Sequence, residues 1–321
     1  MKISFIKNLF CPYTFENLNF KAKIVKKDRI IEGVLYSSQK KYLITHGIAR
    51  FVRTDGYAKS FTYEWKKWNK VQFDSKNINL PMHGYTEKMF KKITNFDFEK
   101  LNKKLVLDLG SGPGRFTEIA LKYGATVVAI DYSYAIDVLK KNFKSDIDNI
   151  IPIQCDATRL PFKNNLFDYS FSIGVLHHTD SPLNCCKEVN RVLKKKGIFA
   201  LAVYQKNSYY DMLSVKIWRM FFNLFWKIFK HYPAIAYTYF FVNFHWYFLK
   251  KIKLISNAFK LFFPVVILPD KNWSYLDTFD SLTPVYASAH TDKEVRKWLI
   301  SSGFTKIKKT FWGNTSFQGR K

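Results

Sequence analysis

The chain has 321 residues, 47% apolar and 18% aromatic, which suffices for a folded core of one large domain with additions or two small ones. Lysine and arginine outnumber aspartate and glutamate by 52 to 25, and the net charge of +27 points to an anionic membrane, an acidic small molecule or nucleic acid. The same excess has a compositional reading, since the lysines are scattered and Lys, Ile, Phe, Asn and Tyr are what an AT-rich genome encodes.

Cys11, Cys155, Cys185 and Cys186 have neither disulfide nor metal spacing. Met1 to Cys11 is too short, and too interrupted by Lys7 and Asn8, for a signal peptide. A reducing cytosol fits both observations, and the expected localisation is cytoplasmic.

Cys11-Pro12-Tyr13-Thr14, Gly33 to Ser37 and Lys41 to Phe51 have the frame of C-P-x-C, G-x-L-x-C-x-x-C and an aromatic-ended strand. Residues 1–60 thereby resemble a small zinc-ribbon-like module. Zinc needs four soft ligands. Only Cys11 remains, with Thr14, Ser37 and Lys40 at the other thiolate positions, so the module is expected to hold no metal. Residues 61–104 form an aromatic bridge beginning Phe61-Thr62-Tyr63-Glu64-Trp65. It reads either as a lid over a ligand crevice, with Tyr63 and Trp65 as contacts, or as packing on a sheet.

Leu105-Val106-Leu107-Asp108-Leu109-Gly110-Ser111-Gly112-Pro113-Gly114 is a buried strand, an acid and a glycine turn. The spacing predicts a helix from Arg115 to Lys122 directly after it. Glycines let the backbone turn tightly and approach a ligand. A dinucleotide fingerprint would place a small residue where Arg115 stands, and a P-loop would need G-K-[ST]. What remains is D-x-G-x-G-x-G.

Thr126 to Asp131 is a second strand ending in an acid, about 20 residues past the glycines, where a carboxylate hydrogen-bonds ribose hydroxyls. The alternative is an Asp that caps the next helix. Ile150 to Ala157 is a third strand, ending in Asp156. Leu160-Pro161-Phe162 and Phe167-Asp168 lead into a fourth, Tyr169 to Ile173, whose exit loop reads Gly174-Val175-Leu176-His177-His178-Thr179. A helix from Pro182 to Leu193 and a fifth strand, Ile198 to Tyr204, follow. This succession implies an α/β doubly wound parallel sheet.

These motifs resemble class I S-adenosylmethionine (SAM) dependent methyltransferases, and the GVLHHT run resembles a bacterial small-molecule branch. The zinc-ribbon-like frame precedes some of its members. The resemblance spans the whole chain and is strongest from Leu105 to Tyr204. It implies SAM as cofactor and a seven-stranded Rossmann-like sheet whose SAM-binding core is residues 105–205. It places Asp108, Gly110, Ser111, Gly112, Gly114, Arg115, Asp131, Tyr132, Asp156, Ala157, Ser172 and Ile173 at the cofactor. Asp156 and Ala157 would meet the adenine, and Ser172 and Ile173 the methionine. His178 is the first candidate base, His290 the second, and His177 a third that is equally readable as packing. The N/D-P-P-aromatic run of nucleobase amino-methyltransferases is absent, which disfavours nucleic acid.

Residues 206–285 are read as an aromatic helical cap insertion. Met212 to Phe229 and Ala234 to Leu249 read as helices, and neither reaches the ~18 uncharged apolar residues of a membrane span. They either roof the substrate pocket or rest, through residues 208–269, on a membrane as a peripheral contact. Residues 286–321 complete the sheet. Thr291 caps a helix ending at Gly303, and strands Lys306 to Trp312 and Thr315 to Lys321 follow. Tyr204, Asp280 and Tyr286, with Tyr63, Trp65 and His178, are the expected acceptor contacts.

The reading is methyl transfer from SAM to an O, N or S nucleophile of a small or lipid-linked acceptor. An RNA or protein methyltransferase and a non-catalytic SAM-fold subunit are the alternatives, and nothing sets an oligomeric state.

Overall fold

The computed structural model describes residues 1–52, 56–144, 147–312 and 314–321. Four strands come first: β1 (Asn19–Lys26), β2 (Arg29–Tyr36), β3 (Lys41–Thr45) and β4 (Ile48–Arg50). Then come β5 (Leu105–Leu109), β6 (Thr126–Asp131), β7 (Ile150–Gln154), β8 (Phe167–Ile173), β9 (Leu193–Val203), β10 (Thr305–Trp312) and β11 (Asn314–Arg320). They form one sheet in the order β1-β2-β3-β4-β7-β6-β5-β8-β9-β11-β10. From β7 to β9 every pairing is parallel, while β11 pairs antiparallel with both β9 and β10.

The central strands are short apolar runs because both faces of a parallel sheet are covered. Leu107, Leu109, Val128 and Ile130 face one core, and Val106, Val127, Ala129 and Phe171 face the other. Helices α1 (Lys59–Lys67) and α2 (Tyr85–Thr94) precede β5. Next, α3 (Arg115–Lys122) and α4 (Ala135–Asn142) follow β5 and β6, and α5 (Pro182–Val192) joins β8 to β9. Strand order reverses between β5 and β8, and the crevice beyond the carboxyl ends of such neighbours is where ligands bind in these sheets.

The expected seven strands are present, and among the described residues the sheet has eleven. The N-terminal strands, expected as a small module, continue the same sheet, because β4 pairs in parallel with β7. The Arg50 guanidinium secures this junction. It donates to both carboxylate oxygens of Asp137 on α4, at 2.8 and 2.6 Å, and to Gln154 on β7, at 3.0 Å. Cys11 is buried with its sulfur 3.1 Å from the Tyr42 hydroxyl, and the Ser37 hydroxyl accepts from the Lys40 amide. Elemental analysis of the purified chain is expected to find no stoichiometric zinc. One tightly held ion per chain would contradict the reading of Thr14, Ser37 and Lys40.

The insertion after β9 holds α6 (Leu213–Leu224), α7 (Trp226–Phe229), α8 (Tyr232–Phe244), running on as a π-helical turn through Leu249, α9 (Lys253–Phe262) and α10 (Lys271–Leu282). Then α11 (Asp292–Ser301) opens with the expected Thr291 cap, in a reciprocal box with Glu294, and Gly303 follows it at φ +86°. Helix α10 is not among the elements expected from the sequence. Asp270 caps it, its carboxylate accepting from the Trp273 amide at 3.0 Å. Yet Trp273, Tyr275, Leu276, Thr278, Phe279, Ser281 and Leu282 are all buried. A helix enclosed on most sides has no amphipathic stripe by which to find it.

Candidate functional site

One cavity of about 280 Å³ opens at the β5/β8 crevice and reaches up to the cap. Its floor is Gly110-Ser111-Gly112 and its far end the tip of β6. Gly110, Gly112 and Gly114 all have positive φ, so the loop folds back over β5 in a conformation that costs other residues about 1–2 kcal/mol each.

The amides of this loop are already committed. Gly110 and Ser111 donate to the Ile130 carbonyl at 2.9 and 2.8 Å, Gly112 to the Asp131 carboxylate at 2.9 Å, and Gly114 to the Ser111 carbonyl at 3.0 Å. Pro113 has no N–H to offer. The turn therefore lacks the free donors with which phosphate-binding loops cradle a diphosphate. The Ser111 hydroxyl is buried at the cavity floor with no hydrogen-bond partner among the described residues.

Asp131 lines the cavity. Besides Gly112, it accepts from the Ser133 amide and hydroxyl at 2.8 and 2.7 Å. A carboxylate has about four acceptor sites, so a place remains for a ligand hydroxyl. Burial raises its pKa, against the pull of those bonds. Beside it Tyr132 stacks on Tyr57, ring centroids 4.9 Å apart, and Cys155 and Ala157 line the same end of the cavity. A polar loop without phosphate donors, a hydroxyl acceptor and an aromatic wall fit an adenosyl group linked to an amino acid, as in SAM.

Across the floor, Arg115 donates to Gln72 at 3.0 Å and Thr86 at 3.1 Å and lies over the rings of Phe116 and Trp273. Gln72 in turn donates to Asp277 at 2.9 Å. Trp65 covers Gly112, where a Cβ would lie 3.2 Å from the indole nitrogen. From the cap side, Tyr204 stacks on Tyr210 at 3.8 Å and donates to Asp280 at 3.1 Å.

His178 lines the cavity. Its Nδ1 lies 2.7 Å from the Tyr286 carbonyl oxygen, which can only accept, so the proton sits on Nδ1 and Nε2 is the basic nitrogen. Burial lowers its pKa to about 3, so the ring is neutral at physiological pH.

Twelve of the expected site residues line this cavity: Gly110, Ser111, Gly112, Arg115, Asp131, Tyr132, Ala157, Ile173, His178, Trp65, Tyr204 and Asp280. The others are placed elsewhere. Asp108 is buried behind the loop and accepts from Thr117 at 2.5 Å. Gly114 serves packing, since a Cβ there would lie 2.3 Å from the Phe143 ring. Asp156 closes its own turn by accepting from the Thr158 amide and hydroxyl. Strand alternation turns Ser172 into the sheet, where it donates to the Leu109 carbonyl.

Tyr63 stacks on His231 at 4.1 Å in the cap core instead of facing the cavity. His177 is 1% exposed, has no hydrogen-bond partner on either nitrogen among the described residues, and packs 3.7 Å from Tyr204. His290 pairs with Ser288 at 2.8 Å, outside the cavity lining. Tyr286 contributes its carbonyl to His178 and its ring to Tyr57.

Gln72, Tyr210, Trp273 and Asp277 also line the cavity without being expected from the sequence, and Glu64 is buried near Asp277 and Asp280 outside its lining. Asp277 and Asp280 are three apart on α10 and so share a helical face. The Asp270 cap starts the helix that sets this pair side by side. Glu64 is fully buried with neither carboxyl oxygen hydrogen-bonded among the described residues. Burial and the nearby Asp280 and Asp277 push its pKa well up. Nothing in its sequence context distinguishes it from a solvated helix position.

Burial also raises Asp277 to about 7 and Asp280 to about 6. Their folded pKa values exceed the ordinary 3.8, so the native state holds protons that the unfolded chain has lost. The associated stability is fully present below about pH 4 and is lost as pH rises through about 7. His178, depressed from 6.5, acts in the opposite sense, but only below 6.5. Between pH 6.5 and 8 these carboxyls act against the Met1 amine, which burial lowers from 8.0 to about 5 and which gains stability over that range, so the difference between wild type and Asp277→Asn isolates the carboxyl contribution. From pH 6.5 to 8 wild type should lose roughly 1 kcal/mol more stability than Asp277→Asn. A scanning-calorimetry profile unchanged by the substitution would contradict the raised pKa.

Residues 107–201 match the family described as "Methyltransferase domain". The chain is 31% identical over 165 residues to a demethylmenaquinone methyltransferase of Paenarthrobacter aurescens, covering 51% of this chain and 60% of that protein. It is 32% identical over 146 residues to an uncharacterized protein of Methanocaldococcus jannaschii, covering 45% of this chain and 60% of that protein. The chain thus spans about 60% of the length of each of these relatives. A solved SAM-dependent methyltransferase from Aquifex aeolicus is 15% identical, with 74% of this chain and 95% of that chain covered at a TM-score of 0.38. With β5 to β11 in the order β7-β6-β5-β8-β9-β11-β10 and the methyltransferase match over 107–201, the chain carries a class I SAM-dependent methyltransferase fold.

Proposed function

We propose that this chain transfers the methyl group of SAM to an O, N or S nucleophile of a small or lipid-linked molecule held beneath the cap. The observation that carries the reading is the glycine loop. Its amides are committed to Ile130, Asp131 and Ser111, which leaves no diphosphate cradle and supports an adenosyl ligand without phosphates.

Asp131 would take the ribose, the stacked Tyr57–Tyr132 pair would border the adenine on one side, and Arg115 with the Ser111 hydroxyl would hold the amino-acid end. Bound SAM supplies a methyl group on a sulfonium leaving group. The chain's part is then to align the acceptor between His178, Tyr204 and Asp280 and to exclude water with Trp65, Tyr210 and Trp273. Such positioning is worth up to about 7–11 kcal/mol.

A base with a pKa near 3 suits an acceptor that sheds its proton after the methyl arrives, as an amine does, better than a hydroxyl that must lose it first. His178→Asn is therefore expected to lower kcat by about tenfold or less. Loss of 10²–10⁴-fold in steady-state assays would instead assign His178 as an obligatory general base.

The net charge of +27 favours a second reading, an RNA acceptor. The chain is also 27% identical over 136 residues to the protein called probable tRNA methyltransferase 9B of Homo sapiens, covering 28% of it. Incubation of the purified chain with methyl-labelled SAM and cell extract separates the two. Label in a small-molecule or lipid fraction is expected. Label in RNA, with binding that weakens steeply with salt, would replace the first reading by the second.

A further inference from the structure

Helices α6, α8 and α9 bury one face and leave a second apolar face in solvent. On α6, Val215, Arg219 and Phe222 are buried, while Leu213, Ile217, Met220, Phe221 and Leu224 are exposed at helical spacing. The end of α8 repeats the pattern with Phe240, Phe244, Tyr247 and Phe248. Helix α9 does so with Leu254, Ile255, Leu261 and Phe262, and Leu254 is 83% exposed. The three helices are neighbours: the Trp218 indole donates to the Phe262 carbonyl at 2.9 Å, and Phe244 packs on Phe259 at 5.7 Å. Single exposed apolar residues are ordinary, whereas stripes on adjacent helices mark an interaction surface.

The charge around the stripes selects the occupant. Residues 212–263 contain eight lysines or arginines and no aspartate or glutamate. Lys227, Lys230, Lys250, Lys251 and Lys253 are exposed among the apolar positions, and the Lys250 ammonium lies 3.7 Å from the Trp246 ring. Basic helices carrying Phe, Leu and Trp on an outer face lie in the headgroup region of a bilayer. No helix among the described residues is long and apolar enough to cross a membrane.

We propose that the outer face of α6, α8 and α9 docks on the surface of an anionic phospholipid membrane, apolar side chains among the acyl chains and lysines at the phosphates. This surface lies outside the cavity and does not depend on the methyl-transfer reading. With it, a lipid-linked acceptor would reach the cavity from the bilayer.

The test is co-sedimentation of the full chain with phosphatidylcholine vesicles with and without phosphatidylglycerol. Binding to the anionic vesicles, weakened by salt, is expected. The triple variant Met220→Ser, Leu224→Ser, Leu254→Ser removes exposed side chains of α6 and α9 only, and should bind at least about tenfold more weakly at an unchanged melting temperature. Lys227→Glu, Lys251→Glu, Lys253→Glu should abolish the preference for phosphatidylglycerol. Three outcomes would overturn the proposal: no binding to either vesicle, wild-type binding by the serine variant, or burial of the stripe in a chain dimer that does not bind lipid. SAM binding measured on the same variants is expected to be unchanged, so failure here is distinguishable from failure of the methyl-transfer reading.

Discussion

Asp131→Ala is expected to weaken SAM binding by at least tenfold in isothermal titration. Hydrogen bonds to a charged group contribute about 1.5–3 kcal/mol each, and about 1.4 kcal/mol is a factor of ten in Kd. The carboxylate does two things at once. It offers an acceptor to the cavity, and it holds the Gly112 amide and both Ser133 donors. The alanine variant therefore loses the hydroxyl partner and relaxes the floor on which the ligand rests. Asp131→Asn keeps the size and one acceptor oxygen, so it should fall between wild type and alanine. An alanine variant that binds SAM as tightly as wild type would remove Asp131 from the site.

Gly110→Ala is expected to be as severe, by a different route. The residue sits at φ +82°, and an added Cβ would lie 2.3 Å from Val175 Cγ1 and 2.5 Å from Cγ2. Left-handed backbone costs a non-glycine residue about 1–2 kcal/mol, and forcing a methyl into a packed contact a further 1–3 kcal/mol. Val175 itself lines the cavity, so its displacement moves the acceptor side of the site as well. The expected result is a lower melting temperature together with SAM binding weakened more than tenfold. Because the clash is with the Val175 side chain, Val175→Ala in the same chain should restore part of both losses, a non-additivity expected of residues in contact. Strict additivity would show that the clash is not the cause.

The readable parts of this protein were those where one residue type answers to one local demand. Leu105 to Gly114 is a strand and turn that only its glycines permit, and Asp131 ends a strand at the spacing of a hydroxyl acceptor. Thr291 and Glu294 form a capping box visible as letters. What escaped depended on distant partners. Ser172 and Ile173 are adjacent, yet strand alternation sends one into the sheet and the other to the cavity. His177 and His178 differ only in what surrounds them: Tyr204 for one, and the Tyr286 carbonyl more than a hundred residues away for the other. Asp277 and Glu64 acquire their raised pKa values from burial under a cap that no local pattern announces. The continuation of β1 to β4 into the main sheet rests on Arg50 meeting Asp137 and Gln154, again a long-range contact.

Isothermal titration of the purified chain with SAM and with S-adenosylhomocysteine decides whether the cavity is a SAM site. One site per chain is expected for each ligand, weakened at least tenfold by Asp131→Ala, while NAD and ATP give no heat. Absence of binding by both adenosyl ligands, or tighter binding of a diphosphate nucleotide, would contradict it.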